Sequence, residues 1–395
     1  MSRVVIVTDG EQRAALAVVR SLGAAGWRVV TCSAHSRSLA GASRYAARDI
    51  TVPDPLDSAD AFADAVIAVA SREQARLVLP ISEPALLALL PVRSRLSPAV
   101  VPFPDPDRFR RISDKAALMM HAAETGIAVP TQVELARREQ LDLVEPAVRF
   151  PVVLKPSRSI VESNGRREKV GVRHAANAAE LRREVDLTTE SAFPLLLQQR
   201  VIGPGVGIFL LVWDGRIVAR FAHRRLREKP PSGGVSVYCE SIAADQDLVA
   251  KSAALLARFQ WSGPAMIEYK LDRTTGTPYL MEINGRFWGS LQLAIDAGVD
   301  FPLLLARLAI GEQVEPVDSY RTGIRSRWWW GDVDHLLARV RKSDAELALP
   351  SDAPSRVRSV LQFLQLWRPG DRSEMLRWRD PWPAVRESIS WFRGR

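Results

Sequence analysis

The sequence predicts a chain that is α/β over its first hundred residues and α+β beyond them. Three observations carry this expectation. Short apolar runs alternate with helix-spaced apolar positions as far as Phe103. The dipeptide Asp214-Gly215 sits between two apolar runs, a hairpin signal. The runs Ala265 to Leu271 and Pro278 to Asn284 then meet around Thr274-Thr275-Gly276.

Taken in order, Arg3 to Thr8 is a buried strand and Glu11 to Gly26 a helix, with Leu16, Val19 and Leu22 at helical spacing and Gly26 as its stop. Trp27 to Cys32 is a second strand. After a Ser/Ala/Gly-rich loop come a helix from Ser58 to Arg72, a strand Leu77 to Ile81, a helix after Ser82 and a strand Ala99 to Phe103. Repeated strand–helix–strand units imply a parallel sheet with helices on both faces. Pro98, Pro102, Pro104 and Pro106 close this unit. Ser113 is the expected N-cap of a helix ending near Gly126. Strands Phe150 to Leu154 and Pro194 to Gln198 flank a polar loop and a helix around Ala178 to Leu187. Residues 205 to 290 read as antiparallel, and the Trp- and Arg-rich tail from about 320 as helical.

Composition narrows the function classes. A chain of 395 residues with 47% hydrophobic and 25% charged residues has the balance of a globular protein. Its longest apolar stretches, such as Phe301 to Ile310, fall short of the roughly 20 residues that span a bilayer. The N-terminus enters the first strand at once, without a signal-peptide pattern, so a cytoplasmic protein is expected. Cys32 and Cys239 are expected reduced and buried. The net charge of +9 gathers towards the C-terminus, in Arg321 to Arg341 and Arg356 to Arg395, and no nucleic-acid motif accompanies it.

The strongest chemical signal is the pair Glu268 and Glu282. If the turn centres on Thr275, both lie seven residues from it and face each other across the strands. Glu282 and Asn284, two apart in a strand, share a face. Paired carboxylates within apolar strands need a cation, and two carboxylates with an amide carbonyl are hard oxygen ligands suited to Mg²⁺. The alternative is an edge hairpin with solvent-facing acids. Lys155 ends an apolar strand, and Lys115 sits in a helical first turn, where it opposes the dipole. Together they could hold the phosphates of a nucleotide, although a surface lysine explains Lys115 equally well. The loop Ser157 to Gly171 carries Arg158, Arg166, Arg167 and Lys169 and could close over phosphates. The run His223 to Lys229, with Arg225 and Lys229, complements an anion; His223 itself reads as a hydrogen-bonded structural residue. Arg286, two residues beyond Asn284, is a further clamp. Thr8-Asp9-Gly10 and Ser82-Glu83 lie where an open sheet places a ligand, with turns and caps as the plainer reading for Asp9 and Ser82, and Ser43-Arg44-Tyr45 is a weaker further candidate.

These residues resemble the ATP-grasp superfamily. The order Ser113-Asp114-Lys115, Val153-Leu154-Lys155-Pro156, Leu195 to Gln199, Met266-Ile267-Glu268-Tyr269 and Glu282-Ile283-Asn284-Gly285-Arg286 is the basis, over about residues 1 to 310. The His-Arg-Arg-x-Arg-Glu run at 223 and the segment Glu282 to Ser290 resemble bacterial carboxylate–amine ligase-like members. The resemblance implies an ATP-grasp fold in four parts: a Rossmann-like unit over 1–112, a small lid over 113–200, a C-terminal antiparallel subdomain over 201–320 and a helical extension over 321–395. It implies ATP as cofactor, held by Lys115, Lys155 and the hinge Gln198, Gln199 and Val201. It implies Mg²⁺, with Mn²⁺ as a substitute, on Glu268, Glu282 and Asn284. Arg286, with Arg225 and Lys229, would stabilise the transferred charge. Two departures stand out. No acid between Gln199 and Phe209 is available for the ribose, and the phosphate-covering loop has Gly165 as its single glycine before Gly171.

The expected function is ATP-dependent activation of a carboxylate as an acyl phosphate and its coupling to an amine, an amino acid or small peptide. A carboxylate kinase or a carboxylase would use the same residues. A non-catalytic nucleotide- or polyanion-binding module is the alternative of a different class, for which Trp328-Trp329-Trp330, Trp367, Trp378, Trp382 and Trp391 would supply stacking. Small-molecule substrates are the expected partners, with no membrane and no nucleic acid; a homo-oligomer is left open.

Overall fold

The computed structural model describes residues 3–163, 166–350, 353–366 and 368–394. Gly165 and Trp367 lie outside the described residues. Strands β1 (Val4–Val7), β2 (Arg28–Ser33), β3 (Ala46–Thr51) and β4 (Leu77–Leu79) form a parallel sheet in the order β3-β2-β1-β4. The unbroken Val/Ile run of β1 is wholly buried, as a strand covered on both faces must be. Helix α1 (Arg13–Ala24) joins β1 to β2, α2 (Ala59–Arg72) joins β3 to β4 and α3 (Glu83–Leu89) follows β4, with Ser58 and Ser82 capping α2 and α3 through their hydroxyls. The strand expected at Ala99 to Phe103 is reduced to one bridge, Leu77 to Val100, since Pro98, Pro102 and Pro104 withhold ladder donors.

Helix α4 (Pro106–Ser113) ends where Ser113 was expected to begin a helix. Asp114 is the cap instead, accepting from the amides of Ala116 and Ala117 at the start of α5 (Lys115–Glu124). A second sheet joins β5 (Gln132–Leu135), β6 (Val152–Pro156), β9 (Arg173–Ala175) and β10 (Leu195–Gln199) in the antiparallel order β5-β10-β6-β9. Its own core contains Leu135, Leu154, Leu181 and Leu197, closed by α6 (Leu141–Val144) and α7 (Ala178–Asp186). The segment read as a phosphate-covering loop is a hairpin, β7 (Ile160–Ser163) and β8 (Arg166–Lys169).

The large sheet takes β11 (Gly205–Trp213), β12 (Arg216–Lys229), β13 (Val235–Ser241), β14 (Gly263–Leu271), β15 (Pro278–Asn284), β16 (Arg325–Arg327) and β17 (Asp371–Ser373), in the order β15-β14-β11-β12-β13-β16-β17. Asp214 and Gly215 both adopt positive φ, 47° and 74°, in the turn joining β11 to β12. Helices α8 (Gln246–Arg258), α9 (Leu291–Ala297) and α10 (Phe301–Ala309) cover this sheet, and α9 and α10 also meet α1. One apolar core therefore runs from the parallel sheet into the large sheet. The tail is helical in α11 (Trp329–Arg341), α12 (Arg356–Leu364) and α13 (Trp382–Phe392), yet it also adds β16 and β17 to the sheet edge. Arg20 of α1 fixes the tail through an ion pair with Asp380 at 2.8 Å and bonds to the carbonyls of Glu374, Met375 and Asp380. Cys32 and Cys239 are free and buried. Among the described residues no helix is long and apolar enough to cross a membrane.

Candidate active site

The β14–β15 ladder sets Glu268 opposite Glu282 and Met266 opposite Asn284, the register that counting from the turn predicts. Neither acid stands alone. Glu268 Oε2 accepts from Arg225 Nη2 at 2.5 Å, and Arg225 Nη1 donates to Glu228 Oε1 at 2.8 Å. Glu282 Oε1 accepts from Asn284 Nδ2 at 2.8 Å, and Asn284 Oδ1 accepts from Arg286 Nη2 at 3.1 Å. Burial lifts the Glu268 carboxyl above the usual range, against the pull of Arg225 and with the repulsion of Glu282. Burial acts on Glu282 too, but Lys115, the Asn284 amide, Lys155 and Arg286 outweigh it and hold Glu282 below the usual range.

A polar cleft opens above Glu282, Asn284 and Arg286, bounded by Glu83, Ser113, Lys115 and Ser159. Lys115 is buried, and its Nζ donates to Ser159 Oγ at 2.9 Å. Asp114 capping is what turns the first turn of α5 into this cleft. Lys155 leaves β6 towards β10, where its Nζ donates to Gln198 Oε1 at 2.7 Å; Gln198 in turn donates to Gln132 Oε1 at 3.1 Å. Burial pushes the Lys155 ammonium down to about 8, although Glu282 and Glu268 favour its charge. Gln198 is buried, Gln199 is exposed and Val201 is buried at the start of the crossing into β11. A cavity of about 270 Å³ begins at residues 200–205 and continues past Arg225 and Lys270 to His335 and Leu349 of the tail.

The structure thus brings Lys115, Glu282, Asn284 and Arg286 to one cleft, with Lys155 and Glu268 near enough to act on Glu282 through their charge; Gln198 joins through Lys155, and Arg225 through Glu268 while itself lining the second cavity. It does not bring Lys229 there: that ammonium is bonded to Asp334 of α11 and lies 5.6 Å from the Trp328 ring. His223 is structural, but not through hydrogen bonds; both ring nitrogens are buried without partners and the ring stands edge-on to Phe209 at 4.7 Å. Burial holds its pKa down to about 3. Asp9 accepts from Ser82 Oγ and from the amides of Ile81 and Ser82, tying the ends of β1 and β4. Ser43 and Arg44 hold Asp380 of the tail rather than a ligand. Sequence reasoning missed Lys270, two residues beyond Glu268 on β14, a spacing that could have marked it. It missed Ser159, for which no local signal exists. Among the described residues no group of three or more His, Cys, Asp and Glu side chains is arranged to hold a metal ion; the oxygen set is two carboxylates and one amide.

The fold recurs in known proteins. Residues 191–330 match the family model described as ATP-grasp in the biosynthetic pathway with Ter operon. Solved structures that superpose include the L-amino acid ligase of Bacillus licheniformis, with a TM-score of 0.61 and 18% identity over 80% of this chain and 75% of that one. A biotin carboxylase from Campylobacter jejuni gives 0.64 and 17% over 81% and 74%. An N5-carboxyaminoimidazole ribonucleotide synthetase, solved as its ADP complex, gives 0.61 and 14% over 82% and 80%. The fold is that of ATP-grasp proteins, and residues 191–330 resemble an ATP-grasp family model. An uncharacterized protein of Sinorhizobium fredii, y4rH, is 27% identical over 276 residues, 64% of this chain; the chain spans 53% of the length of that relative.

Proposed function

We propose that this chain is an ATP- and Mg²⁺-dependent cytoplasmic ligase that activates a carboxylate as an acyl phosphate and joins it to an amine. The observation that carries the reading is the facing pair Glu268 and Glu282, with Asn284 beside them and Lys115 and Lys155 across the cleft. The oxygen set suits Mg²⁺: Glu282 is held ionised and Glu268, Glu282 and Asn284 offer hard oxygens, which Arg225 and Arg286 would have to share with the ion. Bound there, the metal would neutralise phosphate charge. Lys115 and Lys155, both seated by single hydrogen bonds to neutral partners, can turn their remaining donors to phosphate oxygens. Gln198 to Val201, at the edge between the lid (113–200) and the large sheet, offers backbone groups to the base. Arg286 lies where charge would develop on the transferred phosphoryl group and the acyl phosphate. A carboxylate held near Arg286 attacks the terminal phosphorus, ADP leaves, and an amine then displaces phosphate from the acyl carbon. Arg225 orients Glu268 rather than meeting the substrate. The ligase and carboxylase titles among similar structures support ATP-driven carboxylate chemistry of this kind.

The test is ADP release from Mg-ATP against pools of amino acids and small carboxylates, with mass spectrometry of the product. An amide product equimolar with ADP is expected. A phosphorylated or carboxylated product with no amide would replace the ligase reading by kinase or carboxylase.

A further inference from the structure

The tail carries a surface that the reaction does not use. Helix α13 is anchored by its inner side: Trp391 stacks on Trp330 at 4.2 Å and donates to Asp334, Ser388 accepts from Trp330 Nε1, and Glu387 accepts from Trp328 Nε1. Its outer side is apolar. Trp382, Val385, Ile389 and Phe392 follow one another at helical spacing and are exposed, and Trp378 just before them is 95% exposed. Phe392 also meets the Trp330 ring edge-on at 5.1 Å, but Trp378, Trp382, Val385 and Ile389 are left to solvent, which opposes them.

The charge around this stripe has one sign. All four acids between residues 371 and 394 are engaged elsewhere: Asp371 with Tyr238, Glu374 with Arg13, Asp380 with Arg20 and Glu387 with Trp328. Arg379 and Arg393 remain exposed beside the stripe. Helix α12 repeats the composition, with Arg356, Val357, Arg358, Leu361 and Leu364 exposed. A helix with a Trp/Phe/Ile face flanked by arginines is the pattern that lies in a bilayer interface without spanning it. A second copy fits poorly, because a two-fold contact of this segment would set arginines against arginines, with no exposed acid between residues 371 and 394 to receive them.

We infer that α13, led by Trp378 and Trp382, docks this protein onto an anionic phospholipid surface, its apolar stripe entering the headgroup boundary and its arginines meeting lipid phosphates. The inference stands independently of the reaction.

The test is co-sedimentation of the full chain with phosphatidylcholine vesicles, with and without phosphatidylglycerol. Binding to the anionic vesicles alone, weakened by salt, is expected. Partition should fall about tenfold or more in Trp382→Ser/Ile389→Ser and about fivefold for each of Arg379→Gln and Arg393→Gln, with melting temperature unchanged. No sedimentation with anionic vesicles overturns the inference. If the chain instead elutes as a dimer that Trp382→Ser/Ile389→Ser splits, the stripe is a self-interface. If it binds polyglutamate but no vesicle, it is a docking site for an acidic protein.

Discussion

Replacing Lys155 by methionine tests the electrostatics of the cleft most sharply. The side chain is enclosed by β6 and β10, bonds only to the neutral Gln198, and has its ammonium pushed down to about 8. Charge therefore falls from about nine-tenths at pH 7 to about one-tenth at pH 9. Only the charged form attracts phosphate, so nucleotide affinity of the wild type should weaken as pH rises through about 8, by about ninefold between pH 7 and pH 9. A charge-assisted contact is worth about 1.5–3 kcal/mol, so Lys155→Met should weaken binding by about 30-fold at pH 7 and lose this pH dependence. The free protein should respond in the opposite sense. From pH 8 to the ordinary 10.5 the unfolded chain keeps a proton that the folded chain has lost, so stability rises with pH across that window. At pH 7 the buried ammonium costs on the order of 3 kcal/mol, so the variant should be the more stable protein without nucleotide and the weaker binder with it. Titration calorimetry with ATP at several pH values, beside urea unfolding, measures both. A wild-type affinity that stays flat from about pH 7 to 9.5, or a variant that keeps the wild-type slope, refutes the reasoning.

Other consequences follow from the same contacts. Glu282→Gln removes the carboxylate that faces both lysines and should cut ADP release by at least about a hundredfold without unfolding the chain, read by a coupled assay and circular dichroism. Asp380→Ala leaves Arg20 buried without its counter-charge; a loss of about 3–5 kcal/mol is expected by denaturant unfolding, with the tail becoming the first site of proteolysis. His223, held neutral with a pKa near 3, should make the fold acid-sensitive. Below the ordinary 6.5 the unfolded chain takes up a proton that the folded one refuses, so stability falls with pH from there towards 3. His223→Phe should remove about 2 kcal/mol of the difference between pH 7 and pH 5 in urea titrations.

Much of this was legible in the sequence because it is local. The strand pair around Thr275 has a symmetric turn, so counting places Glu268 against Glu282. Lys155 and Lys115 stand at ends of elements whose apolar patterns are plain. What escaped depends on distance in the chain. Ser159 meets Lys115 across 44 positions, and Arg225 meets Glu268 across 43. Lys229 looked like a partner of Arg225, but the strand bulges between them and Asp334 of the tail takes its charge. Strand β3 was missed because an exposed edge needs no apolar run. The hairpin β7–β8 was hidden by its charged residues, and β16 and β17 by the Trp and Arg that made the tail read as all helix. Ser113 and Asp114 are both good caps; which one serves depends on Ser113 completing α4 first.

The most direct test of the central claim is ATP binding with and without Mg²⁺ to the wild type and to Glu268→Gln/Glu282→Gln. Tight binding that depends on Mg²⁺ in the wild type, and a double variant that binds weakly and no longer responds to the metal, is the predicted result. A wild-type chain that does not bind ATP at any Mg²⁺ concentration, while remaining folded, would contradict the account.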